Sequence, residues 1–288
     1  MTHHRKATTL PQAPCRNLGG ATRAPARATC RGFTLLELVI VIAILGVLAT
    51  VGFQFFGQGI HAARIATSSQ NLRQLASANM LYASDHGVYA PADDRRGLRR
   101  WHGSRRSTGQ AFDISGGFLA PYLGENGEVG RCPLLAHVSK SSSTFEEGTG
   151  GYGYNSQYIG GMPGGAFDRA TGLRISRTVL NIDHPSRTVM FATTAYARRD
   201  GIQEYPFAEP PYWDFGDGPS GRRPSPTVHF RANGKALIAW ADGSVSAEPM
   251  SPRSPGTNPH GGDADEHNLG WFGPDEENGY WNPRRMNP

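Results

Sequence analysis

Three groups of side chains in this 288-residue chain carry enough chemistry to be weighed first. Asp183-His184, His229 and Asp242 are the residue types of a proton relay, yet no nucleophile motif accompanies them. Asp242 precedes Gly243, a pair suited to a hairpin turn, and His229 alternates with apolar neighbours as a strand residue does. Structural roles account for both, and no enzyme activity is expected. The stretches Asp214-Phe215-Gly216-Asp217-Gly218 and Gly261-Gly262-Asp263-Ala264-Asp265-Glu266 gather hard oxygen ligands in glycine-rich loops, as calcium prefers. Neither matches an EF-hand, which closes its loop with a glutamate. Solvated acidic loops are the plain reading; calcium at Asp263, Asp265 and Glu266 is the alternative, and no other cofactor is expected. The third group is the thiols. Cys15 and Cys30 lie within residues 1–32, leaving Cys132 alone in the rest, without a partner for an intrachain bridge or a zinc-ligand spacing.

Charge excludes one class of partner. The formal net charge is +5, but six of the 29 Lys and Arg residues (Arg5, Lys6, Arg16, Arg23, Arg27, Arg31) and no acidic residue lie in 1–32. The remaining 23 basic residues face 24 acidic ones, so the body makes no electrostatic case for nucleic acid. The local cluster Arg95, Arg96, Arg99, Arg100, Arg105 and Arg106 reads as a solvated loop.

Glu37 is the ionisable residue that spacing makes most informative. Sixteen residues from Leu38 to Phe53 carry no charge, and Glu37 is the one interruption of the run that begins at Phe33. A helix of about 20 such residues spans a hydrocarbon core of about 30 Å. The run lacks periodicity, as expected where every face meets lipid or like helices. It exceeds the apolar region of about 7–15 residues in a cleaved secretory signal. A plain signal anchor fits the length but assigns the carboxylate no purpose, and an ionisable group in such a segment marks function.

The elements that would position these groups form an α+β chain. Residues 1–32 read as a basic leader, 33–56 as a transmembrane helix, and 57–86 as its amphipathic continuation; that the leader is cleaved and the helix serves assembly is what the resemblance described below implies. In that second section Ile65, Leu72, Leu75, Asn79 and Tyr82 recur at near-helical spacing, Gly57 and Gly59 mark a break or kink, and Gly87 is a C-cap. Residues 87–250 form a globular α+β domain, the long helix packing on a small antiparallel sheet with long loops. Leu119–Gly124 reads as a helical turn, and 139–151 and 160–165 as flexible loops. Thr188–Thr193 is β-prone, and Thr227–Arg231, Lys235–Ala241 and Ser244–Ala247, joined by Asn233-Gly234 and Asp242-Gly243, predict a three-strand meander. Residues 251–288 are a Pro-, Gly- and aromatic-rich tail, which packs back on the domain or offers Trp and Tyr anchors to a partner.

Arg31-Gly32-Phe33-Thr34-Leu35-Leu36-Glu37, followed by the apolar run, resembles the processing motif of type IV prepilins and type II secretion pseudopilins. The resemblance implies a pilin-like fold, cleavage after Gly32 by a prepilin peptidase, and methylation of the new amine on Phe33. It also implies a salt bridge in which Glu37, the fifth mature residue, neutralises another subunit's Phe33 amine and fixes the stagger between subunits. Implied partners are that peptidase, other pilin or pseudopilin subunits, a secretion or pilus machine, and membrane lipid. The implied location is the inner membrane, single-pass, with the leader's positive charges holding the N-terminus in the cytoplasm and the body outside. A second resemblance lies in the body. Large pilin-like proteins of planctomycete and verrucomicrobial type carry a His-then-Asp-Gly motif described as prepilin-processing-associated. This chain offers, in the same order, Leu119–Gly124, Cys132-Pro133, Tyr152–Asn155, Pro185–Val189, His229 and Asp242-Gly243, with a longer interval before the Asp-Gly pair. The function implied is a structural subunit of a type II secretion or type IV pilus-like assembly. The alternative is a membrane-anchored extracytoplasmic binding module that uses the same signal for export and display.

Overall fold

No proline falls between residues 26 and 90, and the stretch is dominated by Ala, Leu, Ile, Gln and Ser, so nothing covalent stops a helix there. The computed structural model, which describes residues 33–124, 129–138, 140–142, 145–252, 258–259 and 261–284 and the backbone alone over 51–56, has one helix of 52 residues, α1 (Leu35–His86). The expected break at Gly57 and Gly59 is absent: both sit inside the helix. Glycine in a helix interior weakens it by about 1 kcal/mol without forcing a kink. The C-cap is as expected, with Gly87 at φ +75° and its N–H donating to Ala83 O at 2.9 Å.

The chain divides into two compact units, one ending at Phe53 and the other beginning at Gln54. In the first, the large apolar side chains from Leu35 to Leu48 are all exposed. Among the described residues no helix is long and apolar enough to cross a membrane. The transmembrane helix expected over 33–56 is therefore not established here.

In the second unit α1 turns one face inward, burying Ser68, Asn71, Leu72, Leu75, Ala76, Asn79 and Ala83 at helical spacing. That face meets an antiparallel sheet of β3 (Tyr152–Tyr154), β4 (Val189–Thr193), β8 (Lys235–Trp240) and β9 (Val245–Pro249), in the order β3-β4-β8-β9. Side chains alternate along β8 as a strand requires: Leu237 and Ala239 join the core that includes Leu72 and Leu75, whereas Ala236, Ile238 and Trp240 join a second core with Trp271, Phe272 and Trp281. The alternation fails once, in β4. Met190 and Phe191 both enter the first core, and the register with β8 shifts between Val189 and Phe191, as at a β-bulge. Three smaller pairs complete the strands: β1 (Arg99–Arg100) with β2 (Gly103–Ser104), β5 (Tyr196–Arg198) with β6 (Gly201–Gln203), and β7 (Val228–His229) with β10 (Leu269–Gly270). The architecture is α+β.

Several expectations need correction. The meander holds only for β8 and β9. Asn233 (φ +55°) and Gly234 (φ +74°) form the expected two-residue turn, closed by reciprocal Ala232–Lys235 bonds of 2.9 and 3.1 Å. Beyond it β7 leaves β8 for β10. The Thr193 hydroxyl fills the gap, donating to His229 O at 3.0 Å and accepting from Leu237 N at 3.1 Å. The arginine cluster is not simply solvated: Arg100 pairs with Glu146, and Arg105 lies buried between Phe112 and Phe145, 4.3 and 4.6 Å from their ring centres. The described part of loop 139–151 is held by the Glu204 carboxylate, whose Oε2 accepts from the N–H groups of Gly148, Thr149 and Gly150 at 3.0–3.1 Å. Most of the aromatic tail packs back: Trp271, Phe272 and Trp281 are buried, and the Trp281 indole donates to Ala208 O at 2.9 Å.

Candidate assembly and processing site

Gly32 lies outside the described residues, which begin at Phe33. Phe33 and Thr34 precede the helix and Glu37 sits in its first turn. Three bonds tie these residues together. Glu37 Oε2 accepts from Thr34 N at 2.8 Å and from Thr34 Oγ1 at 2.9 Å, while Glu37 N donates to Thr34 Oγ1 at 3.2 Å. This is a capping box, in which a threonine before the helix and a glutamate three residues on satisfy each other's backbone donors. The sequence carried the signal, a Thr-x-x-Glu ahead of an apolar run, but the reading of Glu37 as an intersubunit partner left it unused. Around this cap, side chains from Phe33 at 84% exposure to Leu48 at 62% present a contiguous apolar surface. A helix apolar on every side needs lipid or other helices to cover it.

The structure does not bring His229 and Asp242 of the second candidate set together. His229 is buried on β7, where its Nδ1 lies 2.8 Å from Arg231 Nη1. Burial first, then the charge of Arg231 and the neighbouring His267, hold its pKa well below the ordinary histidine value, against a hydrogen bond to the His267 backbone. Nδ1 is therefore the acceptor of a neutral ring. Arg231, which sequence reading passed over, is the hub: it also donates to Thr194 O at 3.1 Å and to Gly151 O. Asp242 stands elsewhere, in the β8–β9 turn, with Oδ1 accepting from Ser244 N at 2.9 Å and Ser244 Oγ at 2.6 Å. The turn has three residues, not two: Gly243 N donates to Trp240 O and Trp240 N to Ser244 O, with Gly243 at φ +86°. Asp242 thus needs no left-handed backbone. What does meet this turn is the Pro185–Val189 stretch, through Asp242 N to Pro185 O at 3.2 Å and Ala241 N to Thr188 O at 2.8 Å.

The other motif residues are packing groups. Cys132 is buried with its sulfur 3.0 Å from Ser68 Oγ. Asn155 clamps Val189 O and Trp281 O at 2.9 and 3.0 Å. Asp263 turns its carboxylate back on the N–H groups of Asp265 and Glu266, at 2.9 and 3.4 Å. Among the described residues no three His, Cys, Asp or Glu side chains are gathered to hold a metal. The calcium alternative at Asp263, Asp265 and Glu266 therefore finds no ligand cluster. Asp214 likewise spends its carboxylate on Gly216 N, Gly218 N and the Tyr158 hydroxyl.

Comparison with known families bears on the first of these sets. Residues 27–53 match the profile of the prokaryotic N-terminal methylation motif. The chain carries a type IV pilin-like prepilin signal. The match takes in Gly32, Phe33 and Glu37 and ends at the boundary of the first unit. A prepilin signal implies processing by a prepilin peptidase and assembly with other pilin subunits. The C-terminal resemblance built on His229 and Asp242-Gly243 receives no support, since the matched segment stops well before them. No curated protein and no solved structure matches the chain.

Proposed function

We propose that this chain is a non-catalytic pseudopilin-like subunit of a type II secretion or type IV pilus-like assembly. A prepilin peptidase cuts after Gly32 and methylates the Phe33 amine. The subunit is then held in the inner membrane by its apolar helix, N-terminus cytoplasmic and pilin-like body outside, until it joins a fibre. The observation that carries this reading is the coincidence of the methylation-motif match, residues 27–53, with a helix whose apolar side chains are exposed on all sides. Within the fibre like helices cover that surface, and each Glu37 exchanges its Thr34 bonds for a neighbour's Phe33 amine. At low dielectric an unpaired carboxylate is costly, and the neighbour's cationic amine is the partner that neutralises it. The test is mass analysis of the protein from native membranes: a chain beginning at N-methylated Phe33 is expected, and one beginning at Met1 or beyond residue 53 overturns the reading. Glu37→Ala is expected to leave cleavage intact and abolish incorporation into fibres.

A second reading, an anchored extracytoplasmic binding module displayed by the same signal, is favoured by a cleft in the body beside Gln157 and Glu209. In that case Glu37→Ala leaves function intact.

A further inference from the structure

The cleft has a volume of about 370 Å³, within the range of small-ligand sites. We infer that it binds an alkylammonium group, taken up between the Glu209 carboxylate, the Gln157 carbonyl and an aromatic wall. The site lies wholly in the body and does not depend on the fibre reading.

Two side chains of the lining are buried yet incompletely bonded. Glu209 is 4% exposed and Gln157 7% exposed, and Glu209 Oε2 and Gln157 Oε1 have no hydrogen-bond partner among the described residues. Glu209 is firmly held. Glu209 N donates to Thr227 Oγ1 at 3.0 Å, its carbonyl accepts from the Trp271 indole at 3.2 Å, and its Oε1 accepts from Tyr205 OH at 3.1 Å. A buried acceptor without a donor is destabilising, so a group that supplies donors is favoured there.

The remaining polar groups decide which donor. Arg174 holds Asp93 through Nε at 2.5 Å and Nη2 at 3.1 Å, and both Asp214 oxygens already accept, from Gly216, Gly218 and Tyr158. The orphaned atoms of the lining are thus both acceptors. An ammonium brings three donors and no acceptor, whereas a sugar hydroxyl brings an acceptor that also needs a partner. Tyr205 and Phe207, edge to face at 5.8 Å, and the half-exposed Phe215 add ring faces that attract a cation.

Binding should then follow the charge of Glu209. Burial raises its pKa to about 7; the Tyr205 bond and the Arg174 charge pull down, and Asp93 pushes up. Asp214, which accepts from the Tyr158 hydroxyl, also lines the cleft. A lysine-type amine stays protonated to about pH 10, so the carboxylate alone titrates between pH 5.5 and 8.5, its ionised fraction falling about 30-fold toward acid.

The test is calorimetric titration of the full chain in detergent with Nα-acetyl-lysine N-methylamide, its Nε-acetylated form, 1,4-diaminobutane and methyl glucoside. The lysine derivative is expected to bind at pH 8.5 and about 30-fold more weakly at pH 5.5. Nε-acetylation and Glu209→Gln should each weaken it at least about tenfold. Phe215→Ala, at an exposed rim position, should weaken it several-fold without touching the core. Tighter binding of the diamine points to a free amine as the natural ligand; tighter binding of the lysine derivative points to a polypeptide side chain. The inference is overturned if the acetylated form binds equally well, if methyl glucoside binds and the amines do not, or if the folded protein takes up neither amine.

Discussion

At the scale of single residues, position matters through what each group must give up. Glu37 closes a capping box with Thr34, so pairing with another subunit's amine requires those bonds to be released. Gly243 illustrates the same point in the body. Its φ of +86° is one that L side chains adopt at about 1 kcal/mol or more, and a Cβ there would lie 2.9 Å from Met80 Cε. Gly234, at φ +74°, has nothing within 4 Å of such a Cβ. Gly234→Ala is therefore expected to lower unfolding free energy by about 1 kcal/mol and Gly243→Ala by about 2 kcal/mol, measured by urea denaturation. In a Met80→Ala background the two glycine substitutions should converge, because only the backbone term remains. Persistence of the full difference in that background would exclude the Met80 contact as its source.

At the scale of elements, the helix and the two hairpin turns were legible because their signals are local. Leu72, Leu75 and Asn79 repeat at helical spacing, and Asn233-Gly234 sits between two apolar runs. Pairing between distant strands was not legible. Nothing near Lys235–Trp240 says that its second neighbour is Val189–Thr193, or that Val228–His229 will pair with Leu269–Gly270. The buried arginines escaped for the same reason, since Arg100 needs Glu146 and Arg105 needs Phe145. Of the candidate site, Gly32, Phe33 and Glu37 could be read from seven consecutive residues. The cleft could not, because Gln157 and Arg174 come from the connection between β3 and β4 while Glu209 and Phe215 come from the one between β6 and β7. The aromatic tail could be read only as a choice between packing and display, and the fold makes it a core element. Trp281 is fully buried, its ring 4.9 Å from Phe272. Trp281→Ala is expected to cost about 3–5 kcal/mol, against less than about 0.5 kcal/mol for Leu180→Ala at a 95% exposed site. Thermal unfolding of both variants checks the ranking, and a small effect at Trp281 would mean that the tail is dispensable to the second core.

At the scale of the whole molecule, buried titratable groups of opposite sign set the response to pH. His102 and His229 are held well below the ordinary histidine value, by burial first and then by Arg100 and Arg105 in one case and Arg231 in the other. The unfolded chain therefore takes up protons below about pH 6.5 that the fold refuses, and stability falls as pH falls. Glu209 acts in reverse. Its folded pKa of about 7 exceeds the unfolded value, so it binds its proton more tightly in the fold, and its contribution falls as pH rises from about 4.5 to 7. Between those limits two histidines oppose one carboxylate, and unfolding free energy should rise as pH rises. Asp168 and Asp200, held low by hydrogen bonds from Thr171 and from Ser141 and Ser142, add their share only below about pH 4. Glu209→Gln removes the opposing group while keeping an acceptor for Tyr205. The slope between pH 5 and 6 should then steepen, and the variant should be more stable than the parent at pH 8, since it no longer buries a charge that Tyr205 and Arg174 compensate only in part. Urea denaturation at pH 5, 6 and 8 measures both quantities. A variant less stable at pH 8, with an unchanged slope, would mean that the Glu209 charge is already balanced within the fold, which would also remove the site's demand for a cation.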